Sequence, residues 1–450
     1  MKPTTAEAYL TRVELAPFSL KHALHEIWEE TVGPTIDRYL RQMQVQCTIL
    51  HPLQIGTAGQ PTSPVIMVGV NPGTLSPRLA STLLFIAEAS LSKVPAASAD
   101  PTAIVREPFS TTLGLPICNA KTHYLEGTGS FFFLDSAKPG ILYLLAPRHA
   151  LFDTNKEENK PYQFRETSGE ARKKVMFMGE AAFHARCDAV KSEIATVQIL
   201  IDHYEKRLKA ADAWEDHKAA EAERKLLSDV VRDWTNEENR IIGHVTLSPP
   251  ISSDCGDDGF TEDWAVVEIY PSMISKLNFV GNAIDLGSVA VDKLTRWMSA
   301  HPSSFEYPTD RLLRFSGTAS DREMFKSDPE TKDHGGDPVL MVMKNGNTES
   351  DLTVGRLNTI RAFVREYSNG KPGQMTKEMA ILPRSSKSGS FSASGDSGAV
   401  AVDGTGRVCG TIIGGDGSSD VSDCTFVTSI DFLIKRLAAF DIEANIFPHL

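Results

Sequence analysis

The chain has 450 residues, 41% of them hydrophobic, and carries 46 Lys and Arg against 58 Asp and Glu for a net charge of -12 at pH 7. A chain of that length and apolar content can bury more than one core, so two or three structural units are expected. The acidic balance argues against nucleic acid as a main partner, because phosphate binding is driven by Lys and Arg releasing counterions; no apolar run is long enough to cross a bilayer, so no membrane partner is expected either.

Residues 1–112 read as a small N-terminal α/β domain, a prodomain or regulatory unit. Apolar spacing predicts helices over Leu20 to Glu30, Pro34 to Met43 and Pro77 to Leu91, and strands over Val45 to Leu50, Val65 to Val70 and Ala103 to Glu107. Ser76 before Pro77 marks a helix start, but the turn from Gly69 to Thr74 has neither a Gly-X-Gly-X-X-Gly nor a Gly-Lys-Ser/Thr pattern, so no nucleotide is expected there. His22, His25 and Glu26 share one helical turn without a third ligand set and read as surface residues. Neither metal nor cofactor is expected.

Further along, Ile141 to His149 reads as an apolar strand that ends on a histidine. The segment from about Arg165 to Arg240 is a helical insertion. From Glu180 to Ile242 it has no Gly or Pro, and Val190, Ile194, Val197, Ile201, Tyr204 and Leu208 recur at helical spacing, as do Leu226, Leu227, Val230, Val231 and Trp234. The polar stretch Trp214 to Ala220 places the tip of an antiparallel hairpin, whose stripes most simply pack on each other, with recruitment of a protein or gating of a cleft as the sharper alternative. Asp263 then opens the apolar strand Trp264 to Ile269. In the last third, Gly395-Asp396-Ser397-Gly398 is followed by the strand Ala399 to Val402, the turn Asp403 to Gly406 and a returning strand that ends at Gly414-Gly415. Taken singly, His149 is a strand-end histidine, Asp263 a strand-start aspartate and Ser397 a loop serine. In chain order they supply the imidazole, carboxylate and hydroxyl that nucleophilic acyl transfer requires.

With these segments the chain resembles the trypsin-like, or chymotrypsin-like, serine peptidases over roughly residues 113 to 440. Lys344 to Thr348 with Thr353 to Leu357 is similar to a second-barrel hairpin of intracellular and bacterial members, and Phe426 to Ile430 with the run to Phe440 resembles the C-terminal strand and helix. The resemblance implies a mainly β fold with a double six-stranded β-barrel over residues 113–442, the helical hairpin 165–240 inserted in the first barrel. It implies Ser397 as nucleophile, His149 as general base and acid, Asp263 as the orienting carboxylate, and the peptide N–H groups of Gly395 and Ser397 as the oxyanion hole. Phe391, Ile413, Gly414 and Gly415 fall where the substrate pocket is built, Phe391 on its floor, so that trypsin-like specificity is not expected and small or apolar side chains are preferred.

The likeness has departures. Leu113 to Ile117 contains no activation sequence, so Asp396 lacks the amino-terminal partner usual in secreted relatives, and Ile413 stands where a serine normally serves the catalytic aspartate. Ala150 and Ala393 stand where bridged cysteines are usual, the six cysteines are scattered, no Asn-X-Ser/Thr acceptor occurs, and the first residues lack an apolar signal core. A cytoplasmic or nuclear endopeptidase acting on protein or peptide substrates is expected, with a catalytically silent regulatory module as the alternative.

Overall fold

Short runs of β-branched and aromatic residues, broken by Gly, Asp and Pro turns, give this chain strands rather than helices, and the strands close on themselves twice. The structure, a computed structural model, describes residues 13–17, 24–42, 45–57, 63–70 and most of 111–450; the longer stretches outside it are 1–12, 71–110, 208–223 and 225–234.

The N-terminal segment contributes β1 (Val13–Ala16), β2 (Cys47–Thr57) and β3 (Ser63–Val70), with helix α1 (Gly33–Gln42) between the first two. In the first barrel β4 (Pro116–Asn119) pairs with β5 (Glu126–Thr128), which bends into β6 (Phe132–Asp135). The bend is held by Gly129 N–H to Leu115 O and Ser130 N–H to Leu145 O, both 2.8 Å. The ring continues through β7 (Leu142–Ala146), β10 (Ala265–Ile269), β9 (Ile241–Ser248) and β8 (Lys174–Phe177), and β8 pairs back onto β4. Counting β5 and β6 as one bent strand, six strands form a closed barrel. Every residue of β7 is buried, as a near-continuous apolar run predicts for a strand covered on both faces. Phe131, Phe132, Phe133, Val267 and Trp264 fill the core.

The second barrel closes in the same sense. β11 (Leu340–Lys344) pairs with β12 (Thr353–Leu357), then come β14 (Thr376–Pro383), β17 (Cys424–Ser429), β16 (Arg407–Asp416) and β15 (Val400–Asp403), which returns to β11. A short strand β13 (Ala362–Val364) continues the edge of β14. Helix α3 (Ile430–Ala438) follows β17; the Ser429 side chain caps it, accepting from the N–H groups of Asp431 and Phe432.

The N-terminal strands extend the second barrel's sheet, since β2 pairs with β13 at Leu50 with Phe363 and Ile49 with Val364. β2 runs on to Thr57, beyond the expected end at Leu50, because β3 and β1 flank its far half. The predicted helix over Leu20 to Glu30 appears, in its described part, as a turn of α-helix at Leu24–Ile27 and a π-turn at Trp28–Val32. Trp28 is fully buried and donates to Arg361 O at 2.9 Å. His51 is fully buried as well, and burial pushes its pKa down to about 3; Asn358 Nδ2 donates to its Nε2 at 2.8 Å and its Nδ1 faces Cys424 Sγ at 3.3 Å. His25 Nε2 lies 3.2 Å from Thr359 Oγ1. The helix at Pro77 to Leu91, the strand at Ala103 to Glu107 and the turn at Asn71 to Thr74 lie outside the described residues.

The firmest polar tie of this segment is the buried Arg365 guanidinium, which holds Asp37 bidentately at 2.6 and 2.9 Å. Asp37 also accepts from Arg41. Arg365→Met removes one of two cations, so unfolding stability is expected to fall by about 2 kcal/mol, less than for a carboxylate stripped of its cation entirely. Urea unfolding with an unchanged slope checks this.

The insertion leaves the first barrel between β8 and β9. Its first arm is α2 (Glu180–Arg207), which turns Phe183, Cys187, Val197 and Ile201 inward. Arg224, helical and well beyond the end of α2, donates to Gln198 Oε1 at 3.0 Å. The tip and most of the second arm lie outside the described residues.

Candidate active site

β7 ends at Ala146, and Pro147 in an extended conformation starts a single helical turn, Arg148–Leu151, that carries His149. On the neighbouring strand, Asp263 sits just ahead of β10, whose pairing of Ala265 with Ala146 sets the two side by side. The Asp263 carboxylate accepts from the His149 backbone N–H at 3.1 Å and meets the ring Nδ1 at 2.5 Å. Two bonds to one residue fix both the position and the tautomer of the imidazole. Burial works to raise the Asp263 carboxyl, but the His149 charge, its ring and backbone bonds and the Arg148 N–H outweigh it and hold the group below the usual carboxylate range. It is an anion at neutral pH.

Both turns are braced from behind. Buried Arg148 donates to Ser248 Oγ at 2.9 Å, and that hydroxyl donates to Trp264 O at 2.8 Å, which ties the histidine turn to the residue after Asp263. From the second barrel, fully buried Glu378 accepts from Thr261 N–H at 2.8 Å and Thr261 Oγ1 at 2.6 Å. Burial pushes the Glu378 carboxyl up against those bonds. Each barrel therefore grips the acid-bearing loop.

Ser397 comes from the loop before β15. Gly398 has φ +94°, and a Cβ there would stand 2.0 Å from Thr128 O and 2.6 Å from Pro147 Cδ, so only glycine lets the loop come this close to β5 and to the residue before the histidine turn. Thr128 N–H donates to Ser397 O at 2.7 Å and Thr128 Oγ1 to Gly395 O at 2.8 Å. Gly395 itself has φ +97°. Ser397, Gly395 and His149 consequently line one cavity of about 580 Å³ between the barrels, with Glu126, Ser392, Ile412, Gly414, Gly415 and Asp423 among the other lining residues.

Of the residues expected at the substrate pocket, Gly414 and Gly415 line this cavity. Phe391 does not: its ring is buried in the main core, where a Cβ on Gly355 would touch it at 2.6 Å, so it cannot narrow the pocket. Ile413 falls on a bulge in β16, which turns Ile412 to the cavity and Ile413 against the apolar cluster that includes Ile49, Leu53, Ala380 and Phe426. The expected aromatic floor is thus corrected; a buried aspartate, Asp423, stands in the wall instead. Sequence reasoning also passed over Lys344. Its ammonium reaches Asp396 Oδ2 at 2.5 Å with both side chains fully buried, and the same oxygen accepts from Ala393 N–H at 2.9 Å. Asp396, the residue before Ser397, thus has an internal cation as partner. A lysine closing the apolar run Leu340 to Met343 is the signal that pointed to it.

No family model and no curated protein matches the chain. Solved structures similar to it include a glutamic acid specific serine protease that uses a histidine triad in substrate binding, 11% identical with TM-score 0.35 over 74% of this chain and 100% of that one. Nocardiopsis protease is 11% identical with TM-score 0.34 over 75% and 99%, and Thermobifida fusca protease A 10% identical with TM-score 0.34 over 74% and 98%. Likenesses this distant add nothing to what the two closed rings of strand pairing establish. Two six-stranded barrels with a cleft between them give this chain the chymotrypsin-like double-barrel fold of serine proteases.

Proposed function

We propose that the chain is a serine endopeptidase in which Ser397 attacks the peptide carbonyl, His149 takes and returns the proton, and Asp263 orients the imidazole. The single observation that carries this reading is the His149 to Asp263 pairing at 2.5 Å on the wall of the cavity that Ser397 also lines. With Nδ1 held by the carboxylate, the other ring nitrogen is the one left to act as base. The hydroxyl proton passes to His149 as Oγ bonds to the carbonyl carbon, and the oxyanion is received by the N–H groups of Gly395 and Ser397. The imidazolium then protonates the leaving amine, and water, deprotonated by the same ring, releases the acid from the acyl-enzyme.

The silent-module alternative drew on the missing amino-terminal partner of Asp396, and Lys344 takes away that ground. All six cysteines are free, five of them buried, which fits action in a reducing compartment. The first turn of α2 touches the cleft, since Ala182 N–H donates to Glu126 Oε1 at 3.4 Å, and a protein partner docking on the insertion would act on the cleft from there.

A fluorophosphonate probe reports the activated hydroxyl directly. Covalent labelling of the wild type, lost in Ser397→Ala, is the expected result; an unlabelled wild type with an intact fold would sink the enzyme.

A further inference from the structure

The loop that leads to Asp263 is held from outside the first barrel at nearly every step. Arg361, the residue before β13, donates through Nη1 to Asp258 O at 2.7 Å, and its guanidinium lies 5.4 Å from the centre of the Phe260 ring. The backbone N–H of Lys377 in β14 donates to Gly259 O at 2.9 Å. Glu378, the next residue, holds Thr261, and Arg436 of α3 donates to Glu262 Oε1 at 2.6 Å. Arg361 and Lys377 meet on one side chain of the N-terminal segment. Glu29 accepts from Arg361 Nε at 2.8 Å and Nη2 at 2.5 Å, and its Oε2 lies 3.4 Å from the Lys377 ammonium. Its neighbour Trp28, fully buried, donates to the carbonyl of the same arginine.

We propose that Glu29 and Arg361 are positioning residues for Asp263, which makes the N-terminal segment a standing part of the active-site scaffold. The inference rests on the peptidase reading and adds to it residues that lie far from the site in the chain. The planar fork of arginine serves both contacts at once, Nε and Nη2 clasping the carboxylate while Nη1 reaches the loop carbonyl. Glu29 stands between two cations. Without its charge Arg361 and Lys377 repel each other, and each takes with it the loop carbonyl that its residue holds. The turn at Asp258 and Gly259 then shifts, and the displacement runs through Phe260 to Asp263. That carboxylate must keep its approach to His149 Nδ1 for the ring to act as base. A small misplacement there lowers the rate and spares substrate binding, since residues 258–262 are not among those that line the cavity. A prodomain is shed by the working enzyme, whereas a segment with this duty is kept.

Glu29→Gln keeps the length of the side chain and removes its charge, while Arg361→Lys keeps a charge and loses the fork. In the full chain each is expected to lower kcat by about tenfold with KM within about twofold of the wild type. Arg365→Met is the control, because it loosens the same segment at Asp37 instead; it is expected to lose stability and keep kcat. The low-field proton resonance of His149 Nδ1–H reports the pairing with Asp263 without any catalysis. It should broaden or shift in Glu29→Gln and Arg361→Lys and stay in place in Arg365→Met. Should Arg361→Lys fail to fold, Glu29→Gln, at a side chain partly open to solvent, is read alone. A kcat within about twofold of the wild type in Glu29→Gln, or an equal loss in Arg365→Met, overturns the proposal and leaves the peptidase reading standing. If the wild type shows neither cleavage nor fluorophosphonate labelling, the peptidase reading fails, and the resonance alone decides: a change confined to Glu29→Gln and Arg361→Lys upholds the positioning role, and an unchanged spectrum overturns it.

Discussion

Asp263→Asn is expected to lower kcat by about ten-thousandfold while leaving the fold intact. The asparagine keeps the shape of the carboxylate and can still accept the His149 backbone N–H now bonded to Asp263 at 3.1 Å. It loses the anion that faces Nδ1 at 2.5 Å. An amide nitrogen turned toward the ring prefers the other tautomer and leaves a proton on the nitrogen that must act as base. Imidazolium formed during the reaction then lacks its counter-charge. Thermal unfolding near the wild-type midpoint together with the kcat loss would establish the role; a loss of less than tenfold would remove Asp263 from the mechanism.

The same carboxylate sets an acid limit. Its folded pKa is depressed below the ordinary value near 3.9, so the folded state binds this proton less readily than the unfolded chain does. Its contribution to stability is complete above the ordinary carboxylate range and is lost as pH falls through the depressed folded value. In Asp263→Asn that part of the acid dependence should vanish.

The order of the site was legible because each of its members ends or begins an apolar run. Leu142 to Ala146 delivers His149, Ala265 to Ile269 follows Asp263, and Val400 to Asp403 follows Ser397, so the strands are local features, while the choice of these three residues came from their order and the resemblance to the peptidases. Two barrels are harder to see, since closure depends on which distant strands pair, and β4 with β8 or β11 with β15 leave no local trace in the residues. The pocket was misjudged for a geometric reason. A position counted back from the nucleophile gives chain distance, not the direction of a side chain, and the Phe391 ring turns into the core while Asp423, from a segment near the end of the chain, fills the wall. A one-residue bulge did the same to Ile413 and Ile412. The N-terminal strands read as a unit of their own because their edge partner, β13, comes about three hundred residues later in the chain.

Lys344→Met should cost about 3 to 5 kcal/mol of unfolding free energy, because it leaves the fully buried Asp396 carboxylate without the ammonium that offsets its desolvation. The consequence reaches beyond stability. Asp396 precedes Ser397 directly, and its carboxylate is held by Lys344 from β11 and by the Ala393 N–H, in the turn whose Gly395 and Ser397 N–H groups are the proposed oxyanion donors. Released from the lysine, that turn is expected to rotate the carboxylate toward water and to carry the oxyanion donors with it, so kcat should fall by about a hundredfold or more, the scale of one lost donor. Lys344→Met combined with Asp396→Asn removes both charges and should recover most of the stability, while recovering activity only so far as the neutral pair rebuilds the turn. A double-mutant cycle read by urea unfolding and by fluorophosphonate labelling rate separates the two effects. Coupling below about 0.5 kcal/mol would mean that the two residues act independently and that something other than this pair holds the nucleophile loop in place.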